Sequence, residues 1–206
     1  MRIGVNSADF AACDAVLEFP AHAPVSHGML RLDIKLDGDT ITSATPILGA
    51  MHRGAEKLFE SRDYRQIISL ANRHEWLSSF SGEVGVALMV EQALGIEVPN
   101  HAAWLRTLLL EHHRVTSHLA FLAGYPWRSN ELVTNLRSER ERWVTHLEQF
   151  TGARMHAMLT VIGGTSREPG AAWLDAVASL RETALGCADA VEQALGEIEP
   201  DIGLIT

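Results

Sequence analysis

The hydrophobic period of this chain changes once, and that change restricts it to a mixed architecture. Up to about residue 48 apolar residues recur at every second position; beyond Gly54 they recur every three or four. Leu30, Leu32, Ile34 and Leu36 alternate with Arg31, Asp33 and Lys35, so Met29–Leu36 is expected as a half-buried strand with one apolar face. Asp37-Gly38 is a turn dipeptide, and Thr40–Ile47 is expected to return beside the first strand as a hairpin. Asp14–Phe19 reads as a further strand. Proline and glycine interrupt Pro20–Gly28, which reads as a shaped loop feeding the hairpin.

The second part reads as helices. Glu75–Leu94 is expected as a largely buried helix closed by Gly95. Pro99-Asn100 opens a long helix, His101 to Leu122, with Leu105, Leu108, Leu109, Val115 and Leu119 at core spacing. Glu131–Phe150, closed by Gly152, and Ala171–Leu195, closed by Gly196, complete the pattern. The expected class is α+β: an antiparallel β unit over residues 1–53, with its hairpin and the loop 20–28, then a bundle of about four helices over 54–206.

Composition excludes several classes. With 47% hydrophobic residues in 206, the chain is too apolar for intrinsic disorder and long enough to bury a core. A net charge of −9 argues against a nucleic-acid partner, which needs a basic face. Nearly all of the 17 basic residues are arginine, suited to ion pairs and buried polar sites. Two cysteines, Cys13 and Cys187, read as reduced thiols, not a disulfide framework. No apolar run approaches a membrane span, and the N-terminus lacks a basic-then-apolar leader. A soluble protein on the cytoplasmic side is expected.

Four constellations carry polar chemistry, each with a plain structural alternative. His27-Gly28 puts an imidazole at a hairpin tip, or is a surface turn. His52-Arg53-Gly54 with Glu56-Lys57 fixes a guanidinium beside a carboxylate, or is a charge pair at a helix start. In Asn72-Arg73-His74-Glu75-Trp76 the zincin pattern fails, because its second histidine would fall at Ser78. Arg73 and Trp76, three apart, share a helical face there, as in a stacked core pair. Glu111, Arg114 and His118 lie along one stripe of the long helix and suggest a buried polar network. His146 and Glu148 face that helix in principle, but a second Glu-x-x-His repeat is missing, so no metal site is expected.

Taken in order, the motifs are specific. HGMLRL at 27–32, ILGAMHRGAEKLFE at 47–60, NRHEW at 72–76, GARMH at 152–156 and IGG at 162–164 closely resemble one family of respiratory complex I, the proton-pumping NADH:quinone oxidoreductase. That family is its 49-kilodalton, or D-type, subunit. The resemblance runs from about Ala23 to the C-terminus. The related nickel-iron hydrogenases ligate nickel through Cys-x-x-Cys pairs, and neither cysteine here belongs to one.

The resemblance implies a peripheral subunit on the cytoplasmic side of the membrane, reaching it only through the complex. Its partners would be the other complex subunits, above all the one carrying the terminal [4Fe–4S] cluster, with quinone bound between the two. His27 and Trp76 match quinone-site positions. Arg53, Arg73 and His156 match positions beside the cluster, tuning it without ligating it. This chain would hold no redox cofactor itself. Trp76 stands where the family has tyrosine, Ala23 where it has a second loop histidine, and Arg128 near its acidic loop residue. The closing DIGLIT resembles a mid-chain region of the family. The chain is thus expected to be the N-terminal half, as a fragment or as a shortened paralogue. Two functions follow: a working subunit with a divergent quinone pocket, or an accessory paralogue that binds the complex without reducing quinone.

Overall fold

In a computed structural model the structure describes residues 2–4, 13–19, 30–49, 52–125, 127 and 129–196. The loop 20–28, with His27, lies outside the described residues, as do Arg128 and the closing DIGLIT. The chain divides into two compact units, Met1–Gly54 and Ala55–Thr206.

The first unit is a four-stranded antiparallel sheet in chain order: β1 (Arg2–Gly4), β2 (Ala15–Phe19), β3 (Leu30–Asp37) and β4 (Thr40–Ile47). The hairpin β3–β4 turns at Gly38, whose φ of 58° is the left-handed value that glycine tolerates. The apolar face expected of β3 is covered only near its centre. Ile34 is buried between its ladder partners Ala15 and Ala44, while Val16, paired with Asp33, is buried on the opposite face. Leu30 and Leu36 stay exposed, so period-two alternation marks the strand and its apolar face but not how much of that face is covered. The β3–β4 pairing shifts register between Lys35 and Leu36, and on the other edge, beyond the last β2–β3 pair, the Leu36 N–H donates to Asp14 Oδ2 at 2.8 Å.

The second unit carries six helices among the described residues, two more than expected. The additional ones are short: α1 (Ala55–Glu60) and α2 (Tyr64–Asn72). A capping box of Asp63 and Gln66 starts α2. Helix α3 spans Ser79–Leu94 and does not begin at Glu75. The Glu75 carboxylate accepts from the Leu77 N–H at 3.0 Å, a local bond that competes with a helical turn, and residues 73–78 form turns. Three long helices follow, α4 (Asn100–Gly124), α5 (Asn130–Thr151) and α6 (Ala171–Gly196). A two-residue hairpin, β5 (Thr160–Val161) and β6 (Gly164–Thr165), sits between α5 and α6.

Two apolar layers hold this unit together. Phe80, Leu109, Leu147, Leu159 and Trp173 join α3 to α4, α5 and α6; Leu119, Leu136, Trp143, Leu180 and Val191 continue among the last three. Helix α2 crosses α3 at Gly82, where a Cβ would fall 2.3 Å from the Ala71 carbonyl oxygen. No described helix is long and apolar enough to cross a membrane.

Candidate functional site

The close crossing at Gly82 brings the end of α2 against the first turns of α3, and there a polar chain is built. Glu83 is the one charge in the first three turns of α3 and is fully buried. Its oxygens accept four N–H donors. Three are consecutive backbone groups: Met158 at 2.8 Å, Leu159 at 3.0 Å and Thr160 at 2.9 Å. The fourth is Asn72 Nδ2. Burial pushes the Glu83 carboxyl upward, opposed by these donors. Two turns on, Glu91 repeats the device for the hairpin. It accepts from the Gly163 N–H at 2.7 Å and pairs with Arg106, which donates to the Val161 and Gly164 carbonyls. The Arg106 guanidinium, joined by Gly163, holds the Glu91 carboxyl below the usual carboxylate range.

The segment behind α5 is thereby laid along α3. Gly152, at φ 75°, ends α5, and Arg154 ties back to Glu141 at 2.7 Å and Glu148 at 2.9 Å. Ser79 Oγ donates to the Met155 carbonyl at 2.5 Å. Met158 has φ 50°, a conformation non-glycine residues avoid, here held by the N–H bond to Glu83.

His156 and Arg73 meet on this framework. His156 Nδ1 lies 2.7 Å from Asn72 Oδ1. Arg73 Nη1 donates to the same oxygen at 3.4 Å, to the Ser69 carbonyl and Oγ at 3.3 Å, and lies 3.3 Å from Met158 Sδ. Glu83 only accepts and Arg73 only donates, so the amide points its NH2 at Glu83 and its oxygen at the other two. His156 must then donate from Nδ1, leaving Nε2 as the acceptor of the neutral ring.

The remaining site residues fall differently. Trp76 is 40% exposed in the turn 73–78, so the helical face it was expected to share with Arg73 does not exist. Arg53 is exposed, in the segment 52–54 that closes the first unit. On α4 the expected stripe is on the wrong side: Glu111 and Arg114 pair with each other in solvent and His118 is exposed. Beyond Arg106, the buried polar residues of α4 are His112 and His113. His112 Nε2 lies 3.2 Å from His146 Nδ1, and His146 Nε2 lies 3.0 Å from the Trp173 carbonyl. His113 stacks on Phe80 at 5.7 Å. Burial depresses His112 to about 3 and His113 to about 4, so both are neutral in the fold. Asn72, Glu83, Glu91 and Arg106 are not marked as site residues by the sequence. A lone Glu in the small, apolar run SFSGEVGVALMV is the available signal for Glu83.

Fold and site together define a scaffold, in which buried carboxylates, amide and imidazoles hold a loop and present an arginine and a histidine. Among the described residues no group of three or more His, Cys, Asp and Glu is arranged to hold a metal. Residues 131–197 match the family model of the respiratory-chain NADH dehydrogenase 49 kDa subunit. The first D-type subunit of the NADH-quinone oxidoreductase of Streptomyces coelicolor is 50% identical over 173 residues, 83% of this chain and 45% of that protein. The second D-type subunit of the Salinispora tropica enzyme is 51% identical over 162 residues, 78% of this chain and 42% of that protein. The solved structure of the membrane-bound sulfane sulfur reductase, an archaeal respiratory membrane complex, contains a chain that matches 90% of this one with a TM-score of 0.72 and 30% identity, over 50% of its own length. This chain belongs to the 49-kilodalton, D-type subunit family of NADH-quinone oxidoreductase and spans about half the length of these relatives.

Proposed function

We propose that this chain works as a 49-kilodalton-type component of the peripheral arm of a proton-pumping NADH:quinone oxidoreductase, on the cytoplasmic side of the membrane. In this reading it helps to form the quinone site beside a terminal iron–sulfur cluster held by a neighbouring subunit. The observation that carries the reading is the convergence of Arg73 and His156 on one Asn72 oxygen. These residues, distant in sequence, are two of the three that family resemblance places beside the cluster.

The residues fit the outer environment of a cluster and not its ligation. A [4Fe–4S] cluster takes four thiolates and this sequence has two cysteines, Cys13 and Cys187, so in this reading the neighbouring subunit supplies them. The bound cluster supplies one-electron transfer. Arg73 supplies a fixed positive charge that favours the reduced cluster, and His156 a hydrogen-bonding ring whose orientation is set from behind. Arg53 and His27, the other positions named by the resemblance, fall in the sequence of the first unit. Quinone reduction also needs donors to its oxygens. Trp76 offers an indole N–H but no acidic hydroxyl. That substitution favours, as a second reading, an accessory paralogue that occupies the complex without reducing quinone.

Copurification separates the two. A complex isolated through a tag on this chain, analysed by mass spectrometry, is expected to lack any longer member of the same family. In that complex, Trp76→Tyr and His27→Ala are expected to change the quinone reductase rate. A longer 49-kilodalton homologue in the same assembly, or rates unchanged in both variants, establishes the accessory role.

A further inference from the structure

The polar chain behind His156 has a directional property of its own. A neutral imidazole carries its proton on either nitrogen, and the choice is set by the partner on one side. Here Nδ1 faces Asn72 Oδ1 at 2.7 Å. An asparagine amide can turn over and offer NH2 instead, so His156 by itself does not fix its tautomer. What fixes the amide is chiefly its other end, where Nδ2 meets Glu83 Oε1, with a longer 3.4 Å donation from Arg73 Nη1 to Oδ1 acting in the same sense. Glu83 is itself immobilised by the N–H groups of Met158, Leu159 and Thr160 and by complete burial. Gly82, beside Glu83, allows α2 close enough for the contact.

We propose that Glu83 is a positioning residue that, through the Asn72 amide, holds His156 as the Nδ1–H tautomer with Nε2 as its acceptor nitrogen. The group that Nε2 accepts from must then be an N–H or O–H donor. The inference stands on hydrogen-bond geometry within the second unit and is read without cluster or quinone, so its failure leaves the reading under Proposed function open, and the reverse.

Glu83→Gln supplies the test. Glutamine can place its oxygen toward Leu159 and Thr160, which leaves one backbone N–H, that of Met158, unbonded where the reverse placement would leave two; its NH2 then faces Met158 and Asn72. Two NH2 groups cannot satisfy each other, so the Asn72 amide turns its oxygen to Gln and its NH2 to His156. The imidazole must then accept at Nδ1 and carry its proton on Nε2. The measurement is long-range ¹⁵N–¹H correlation of the full 206-residue chain labelled at histidine, near pH 8, with His156 assigned by its loss in His156→Gln. The wild type is expected to show the Nδ1–H pattern and folded Glu83→Gln the Nε2–H pattern. Asn72→Leu, which keeps the three backbone bonds to Glu83, is expected to move His156 off the Nδ1–H form and decides the case if Glu83→Gln does not fold. An Nδ1–H pattern retained in folded Glu83→Gln or in Asn72→Leu overturns the proposal, as does an Nε2–H wild type.

Discussion

The histidines of α4 show how much burial alone determines at the scale of one residue. His146 must donate from Nε2 to the Trp173 carbonyl, which makes its Nδ1 the acceptor for His112 Nε2–H. His112 Nδ1 and His113 Nε2 have no partner among the described residues. Protonating either ring would bury a charge, which is why both sit below the ordinary value of 6.5. The sign follows from proton uptake. Below about pH 6.5 the unfolded chain binds protons that the folded chain refuses, so stability is full above that pH and falls as pH drops toward 4. At 1.36 kcal/mol per unit, each histidine accounts for about 2.5 kcal/mol between pH 6.5 and 4.5. Urea unfolding is expected to show this loss in the wild type and a shallower slope in His113→Phe, whose ring keeps the stack on Phe80. An identical slope in both would mean that His113 is protonated in the fold.

At the scale of elements, the crossing of α2 and α3 depends on one missing methyl group. Gly82→Ala drives a Cβ into the Ala71 backbone, and neither helix can yield without moving Asn72. A destabilisation of about 1–3 kcal/mol is expected from thermal unfolding, together with loosening of His156. A variant of unchanged stability would refute the close crossing. The elements also mark what the sequence makes legible. The hairpin and the long helices α4, α5 and α6 are readable within a few residues, because period and capping glycines act locally. Periodicity overextends α3 because the Glu75 side chain replaces a backbone bond, which an apolar pattern does not report. The polar stripe of α4 falls on the wrong side for a different reason. Spacing shows which residues share a face, but only packing against α3, α5 and α6 shows that His112 and His113 are the covered pair. Arg73 and His156 are each named through resemblance, yet the link that Asn72 and Glu83 make between them becomes visible only when chain segments distant in sequence meet.

At the scale of the whole molecule, the second unit is a rigid mount for an edge that carries Arg73 and His156. Two of its buried acids, Glu83 and Glu91, accept backbone N–H groups of residues 158–163, so the loop after His156 is held through its backbone as well as by Leu159 in the core. The chain covers about half of its relatives, and in the proposed function this edge lies beside a cluster that another subunit ligates. A fixed positive charge there favours the reduced state and raises the potential. The direct measurement is a redox titration, followed by electron paramagnetic resonance, of the terminal cluster in a complex assembled with Arg73→Met or Arg73→Lys. Arg73→Met is expected to lower the midpoint potential by tens of millivolts and Arg73→Lys to restore most of it; a fully assembled complex with the same potential in all three forms would contradict the placement of Arg73 beside the cluster.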